Sequence, residues 1–177
     1  MRTMPEDRFN AWAEPAAVTV LHPGDVALGR QGDRFETLLG SCVSIVLTDP
    51  RRIVAVMCHV VHSGAAPAGE RHVETTHFEP ALAAMFDLLQ GCGITPRLCE
   101  AYLYGGGNMF PSLFKQSHVG ADNTEWALHA LANLGIRLLG QDTGGTAFRR
   151  ITWTVGPGHL KSAWARLEGT SWRSRFM

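Results

Sequence analysis

The stretch TLLGSCVSIVLTDP, Thr37 to Pro50, decides how the rest of the chain is organised. Its latter half, CVSIVLT (42–48), is rich in β-branched residues and stops at Asp49-Pro50-Arg51-Arg52, a turn signal. IVAVMCHVV (53–61) then reads as a second strand, so the two predict a β-hairpin. The hairpin is apolar on both faces, as suits a sheet inside a layered domain.

Working outward, AVTVL (17–21) predicts a short strand closed by HPGD, and GRQGDRF (29–35) a turn region before the hairpin. HSGAAPAGERHVETTHF (62–78) is a long polar connection, the kind of loop that often lines a site. Leu82, Met85, Phe86 and Leu89 recur at helical spacing and predict a helix over 79–91. Strands follow at 97–106 and 136–145, separated by a second helix over 123–135 that Asp122 or Asn123 could cap. RRITWTV (149–155) and HLKSAWARL (159–167) predict a closing hairpin. The fold class expected is α/β or α+β: one layered domain, a mainly antiparallel sheet covered by two helices. Residues 17–167 form that domain, with an N-terminal extension over 1–16 and a C-terminal tail over 168–177.

Composition narrows the function classes. Among 177 residues, 16 basic and 16 acidic side chains cancel, so no net charge draws the chain to nucleic acid or lipid headgroups. No apolar run has the length of a signal peptide or membrane span, which predicts a cytoplasmic protein without membrane insertion. The four cysteines, Cys42, Cys58, Cys92 and Cys99, lack CxxC spacing. In a reducing compartment they are expected as free thiols, leaving one available as a nucleophile.

If Asp49-Pro50-Arg51-Arg52 is the four-residue loop, Thr48 pairs with Ile53, and Cys42 falls directly opposite His59. Their β-carbons would then lie roughly 4.5–5.5 Å apart on one face, with Cys58 on the other. A thiol is a weak nucleophile until deprotonated, and an adjacent imidazole can take its proton and return it to a leaving amine. Gly40 has no β-carbon to block a substrate, and the N–H groups near Ser41 and Cys42 could face a developing oxyanion. Such a pair attacks carboxamides, esters or thioesters. The plainer alternative is a core cysteine beside a satisfied histidine.

TLLGSCVSIVLTDPRRIVAVMCHV resembles the signature of the CheD family, the chemoreceptor glutamine deamidases of bacterial and archaeal chemotaxis. YGGGNMF (104–110), VGADNTEWALHALANLGI (119–136) and QDTGGTAFRRI (141–151) resemble further family segments in the same order. The resemblance implies Cys42 as nucleophile, His59 as general base and Thr37 as third catalytic member; Gly40 and Ser41 are read as substrate-binding from their place beside the thiol. The reaction it implies is attack on a glutamine side-chain amide, release of ammonia and hydrolysis of a thioester to glutamate. It implies chemoreceptor helices as protein substrate, a CheC-type phosphatase as a possible partner, and a fold similar to the catalytic domain of deamidating toxins. No cofactor is implied. Three positions depart from the family pattern: His62-Ser63 replaces a Leu-Pro, His77-Phe78 an Arg-Tyr, and Phe148 a glycine. A rival of another class is a module that docks a receptor or phosphatase with weak or lost catalysis.

Two other features carry less. His59-x-x-His62, with His72 and His77 nearby, has metal-ligand residue types, but on a strand the first two point to opposite faces, and no metal is expected. Gly105 to Gly107 lack the GK[ST] of a phosphate loop and predict a tight turn beside the catalytic strands, with Asn108 bonding that turn.

Overall fold

The computed structural model describes residues 16–65 and 75–157, and the backbone of 165–167. The expected extension, apart from residue 16, most of the 62–78 loop and the tail lie outside the described residues. In chain order the strands are β1 (Val18–Val20), β2 (Val26–Arg30), β3 (Arg34–Leu39), β4 (Val43–Thr48) and β5 (Val54–Cys58). Helix α1 (Phe78–Gly91), β6 (Glu100–Gly105), α2 (Val119–Asn133), β7 (Arg137–Thr143), β8 (Phe148–Thr154) and β9 (Ala165–Leu167) follow.

The strands divide into two sheets rather than the single one expected: a five-stranded sheet ordered β2-β5-β4-β6-β7 and a four-stranded sheet ordered β1-β3-β8-β9. Five of the seven strand pairings are antiparallel; β1–β3 and β6–β7 are parallel. The double-sided hairpin explains the division. Val43, Ile45 and Leu47 of β4, with Val54, Val56 and Cys58 of β5, meet Phe78, Met85, Leu89, Ala127 and Leu131 of the two helices. The alternate residues, Val46, Ala55 and Met57, meet Phe35, Leu39, Ile151 and Trp153 of the second sheet. The layers therefore run helices, five-stranded sheet, four-stranded sheet. Each buried Val, Leu or Ile contributes about 1.5–3 kcal/mol relative to exposure, so β4 and β5 anchor both cores at once.

The hairpin register differs from expectation by two residues. Thr48 pairs with Ala55 and Val46 with Met57, and a bridge joins Val43 to Val60. The cause is Asp49, which is buried and behaves as a strand residue, its carboxylate accepting from the N–H groups of Arg51 (3.1 Å), Ile53 (2.8 Å) and Val54 (2.9 Å). An aspartate that bonds the backbone ahead of it nucleates its own turn. The loop is therefore Pro50 to Ile53, with Arg52 in the left-handed region (φ 60°) and paired to the buried Glu100. A shift of two keeps every side chain on its expected face, whereas a shift of one would have inverted them all.

Helix α2 begins four residues earlier than expected. His118 rather than Asp122 or Asn123 caps it, Nδ1 accepting from the Ala121 N–H at 3.1 Å. Strand β3 was expected to lie partly in a turn, yet its alternate residues Phe35, Thr37 and Leu39 face inward.

Candidate active site

The chain leaves the four-stranded sheet at Leu39 and enters the five-stranded sheet at Val43, so Gly40-Ser41-Cys42 is a three-residue crossover between layers. Thr37, facing inward on β3, is buried among apolar neighbours and must satisfy its hydroxyl within the protein. It donates to the Leu21 carbonyl at 2.8 Å, and its oxygen lies 2.9 Å from Nδ1 of His59. Because the hydroxyl proton is committed to Leu21, the ring must donate: His59 Nδ1–H bonds Thr37 Oγ1. That assigns the tautomer and leaves a lone pair on Nε2.

His59 is 3% exposed, just past the end of β5. Its main chain is tied to Asp25 (N–H to carbonyl, 2.9 Å) and Gly24 (carbonyl to N–H, 2.8 Å). Burial holds the imidazole below its ordinary value of 6.5; the Leu21 carbonyl and the Asp25 carboxylate oppose this, and His22 adds to it. Among the described residues, the buried Nε2 has no hydrogen-bond partner. A fixed, neutral imidazole with one unshared lone pair is the form a general base requires.

Cys42 is half-buried and packs against the core between the sheets. The observed register places Ser44, not Cys42, across from His59. Cys42 is the next residue along the same face, a diagonal neighbour at roughly 7–8 Å between main chains. The expected direct opposition is thus corrected, and no hydrogen bond joins the thiol to Nε2 in this geometry. Burial pushes the Cys42 thiol above 9.0, while its own backbone N–H opposes that. Burial thus favours the neutral form of both thiol and imidazole.

Gly40 serves a different purpose from the one expected. A β-carbon there would lie 2.9 Å from Met109 Sδ and 3.0 Å from Phe148 Cε1, so the space is filled by protein rather than left for substrate. Ser41 instead borders a cavity of about 440 Å³ lined with Met109, Phe110, Phe114 and Val119. The glycine turn packs on the crossover as expected. Gly106 N–H donates to the Cys42 carbonyl and Gly107 N–H to the Gly40 carbonyl, both at 2.8 Å. At Gly105 (φ 105°) a β-carbon would fall 2.2 Å from the Cys42 carbonyl oxygen, which no other residue could tolerate. Asn108 bonds its own turn, accepting from the Phe110 N–H and donating to the Phe114 carbonyl.

One residue beside the crossover was missed as more than a helix cap. Asn123 is fully buried within α2, and its amide nitrogen donates to the Ser41 carbonyl (3.2 Å) and the Val61 carbonyl (2.9 Å). The signal was present, since Asn123, Ala127 and Leu131 share a helical stripe and a polar residue on a buried stripe needs partners. Cys58 lies on the helix side as expected. It is fully buried, its thiol pushed up to about 12 by burial, with its sulfur 3.5 Å from the Ile45 N–H. His62 and His77 stack with ring centroids 4.9 Å apart; His72 lies outside the described residues.

Comparison with known proteins agrees with the resemblance seen in the motifs. The family model described as "CheD chemotactic sensory transduction" matches residues 63–163. The chain is 34% identical over 151 residues to "Probable chemoreceptor glutamine deamidase CheD 1" of Chromobacterium violaceum, covering 84% of this chain and 78% of that one. It is 33% identical over 140 residues to "Probable chemoreceptor glutamine deamidase CheD" of the archaeon Thermococcus kodakarensis, covering 78% and 87%. A similar protein of Pseudomonas fluorescens, with the same printed name, is 31% identical over 150 residues, covering 83% and 82%. The chain belongs to the CheD family.

Proposed function

We propose that this protein is a protein-glutamine deamidase that converts glutamine side chains of chemoreceptors to glutamate. Cys42 attacks the side-chain amide carbon while His59 Nε2 accepts the thiol proton. The tetrahedral adduct collapses, the carbon–nitrogen bond breaks, and the proton passes to the departing nitrogen as ammonia. Water, deprotonated by the same imidazole, then hydrolyses the thioester and frees Cys42. Thr37 holds the ring in the tautomer that keeps Nε2 available.

The observation that carries this reading is the hydrogen bond from His59 Nδ1 to a buried threonine already committed to Leu21. A merely structural histidine would be expected to satisfy both ring nitrogens, whereas His59 leaves Nε2 unpaired in a buried position. The printed names of the relatives supply the substrate class, a chemoreceptor glutamine. Chemoreceptor signalling helices lie in the cytoplasm, so the protein would act there. Among the described residues no helix is long and apolar enough to cross a membrane. The family resemblance adds a CheC-type phosphatase as a second partner.

Mass spectrometry of a receptor cytoplasmic fragment tests the proposal. Incubation with wild type is expected to add a single dalton per modified glutamine, and Cys42→Ala to add none while still binding. Binding without any mass gain from wild type would instead establish a docking module, and cleaved fragments a protease.

A further inference from the structure

The three carbonyls of the crossover are all held from behind. Gly107 N–H takes the Gly40 oxygen, the Asn123 side chain takes the Ser41 oxygen, and Gly106 N–H takes the Cys42 oxygen. No peptide bond among the described residues is cis, and in a trans peptide the C=O and the following N–H point in opposite directions. Fixing the Ser41 oxygen against α2 therefore aims the Cys42 N–H away from the helix layer. That is the side on which Cys42 packs against the inter-sheet core and His59 reaches Thr37. Among the described residues no backbone carbonyl accepts from the Cys42 N–H, which faces its own thiol.

Asn123 is built for this task. An amide NH₂ has two donor hydrogens, and Asn123 spends one on Ser41, beside the nucleophile, and the other on Val61, two residues beyond His59. One nitrogen thus clips the strand that carries the base to the peptide that precedes the nucleophile. Its own Oδ1 is left buried and unpaired, an unfavourable arrangement that helix packing alone does not require.

We propose that Asn123 is a positioning residue that aims the Cys42 backbone N–H as an oxyanion donor. When Cys42 sulfur bonds to the amide carbon, the carbonyl π pair moves onto oxygen, and this N–H receives the resulting negative charge. When the pair returns, the carbon–nitrogen bond breaks and ammonia leaves. A donor preset on the developing oxyanion is worth about 10²–10³ in kcat when lost outright. The inference rests on the deamidase reading for its substrate.

The test is the isosteric change Asn123→Asp, which keeps the shape and removes both donors, with Asn123→Ala beside it. Deamidation of the receptor fragment is expected to fall in kcat by roughly tenfold to a hundredfold, with KM little changed. Alkylation of Cys42 by iodoacetamide, located by peptide mass mapping, forms no oxyanion and is expected to keep its wild-type rate. An unchanged kcat overturns the proposal. So does a parallel fall in alkylation, which would mean that Asn123 merely holds the Cys–His pair together.

Should neither variant fold, wild type supplies the answer. A peptide aldehyde, carrying its aldehyde in place of the glutamine carboxamide, forms a hemithioacetal on Cys42. In ¹⁵N-labelled protein the Cys42 amide proton is then expected to move downfield; no movement overturns the proposal. A wild type that forms this adduct but leaves every receptor glutamine intact would refute the receptor reading and leave the N–H assignment standing.

Discussion

Cys42 and Cys58 lie on opposite faces of one hairpin, and the difference between those faces explains why one thiol is chemically available. On the helix side, Cys58 is buried in the cluster that holds Val43, Val56, Val60 and the apolar stripe of α1. Burial pushes its thiol up to about 12, against the opposing Ile45 and Cys58 backbone N–H groups. On the other side the same strands carry Ser44, Thr48 and His59, and the packing opens where the chain crosses between sheets. There Cys42 is half-buried, with an imidazole on the same face whose spare nitrogen has no partner among the described residues. The two faces thus separate a buried core cysteine from the one proposed as nucleophile.

Removing the nucleophile should have the largest effect. Cys42→Ala is expected to abolish ammonia release by about a thousandfold or more, leaving the melting temperature near wild type because the side chain is small and half-exposed. Cys58→Ala should do the reverse, keeping full activity while losing stability to a small core cavity. A melt showing Cys42→Ala as the more destabilised of the two would break the comparison.

His59→Asn should lower kcat by roughly 10²–10⁴, the worth of a positioned general base. Its pH signature is specific. Burial lowers the folded imidazole, with Asp25 and the Leu21 carbonyl opposing and His22 reinforcing, so the acid limb of kcat/KM should fall below pH 6.5. Stability moves with the same linkage: as pH drops through 6.5 the unfolded chain takes up the proton first, and the folded state weakens until its own imidazole titrates. An acid limb above 6.5 would mean that His59 is not the titrating base.

Thr37→Val removes only the hydroxyl. It leaves the ring only its longer, 3.4 Å contact with the Leu21 carbonyl, which should lower kcat by about tenfold and cost about 1–3 kcal/mol in urea unfolding. Thr37→Ser should restore both. The last effect, on stability alone and confined to alkali, belongs to Cys58. The unfolded thiol ionises near 9.0 and the folded one near 12, so wild type should lose stability as pH rises above 9, and Cys58→Ala should lose that slope.

Much of this was legible in the sequence. Both hairpin strands, both helices and the packing of Gly105–Gly107 on the crossover follow from β-branched runs, helical spacing and glycine placement. The register was not legible, because Asp49 can either open a turn or end a strand, and three backbone bonds to its carboxylate decide for the strand. The second sheet was partly hidden, since RFETLL places a polar threonine at an inward position and so blurs the apolar alternation of β3. Thr37 is polar there and bonds the Leu21 carbonyl and the His59 ring. Asn123 was hidden by its residue type, which suits a helix start, while His118 supplies the cap. In both cases the local pattern failed where a buried polar side chain bonds the backbone or ring of another element.

The central claim is that Cys42 forms a covalent bond to the glutamine side chain. Wild type mixed with a receptor fragment and quenched in acid within the first turnovers should carry a thioester whose mass equals the fragment less ammonia, mapped to the peptide containing Cys42. His59→Asn should form it slowly and hydrolyse it more slowly still. Ammonia release at the wild-type rate from Cys42→Ala, with no adduct on wild type, would contradict the account.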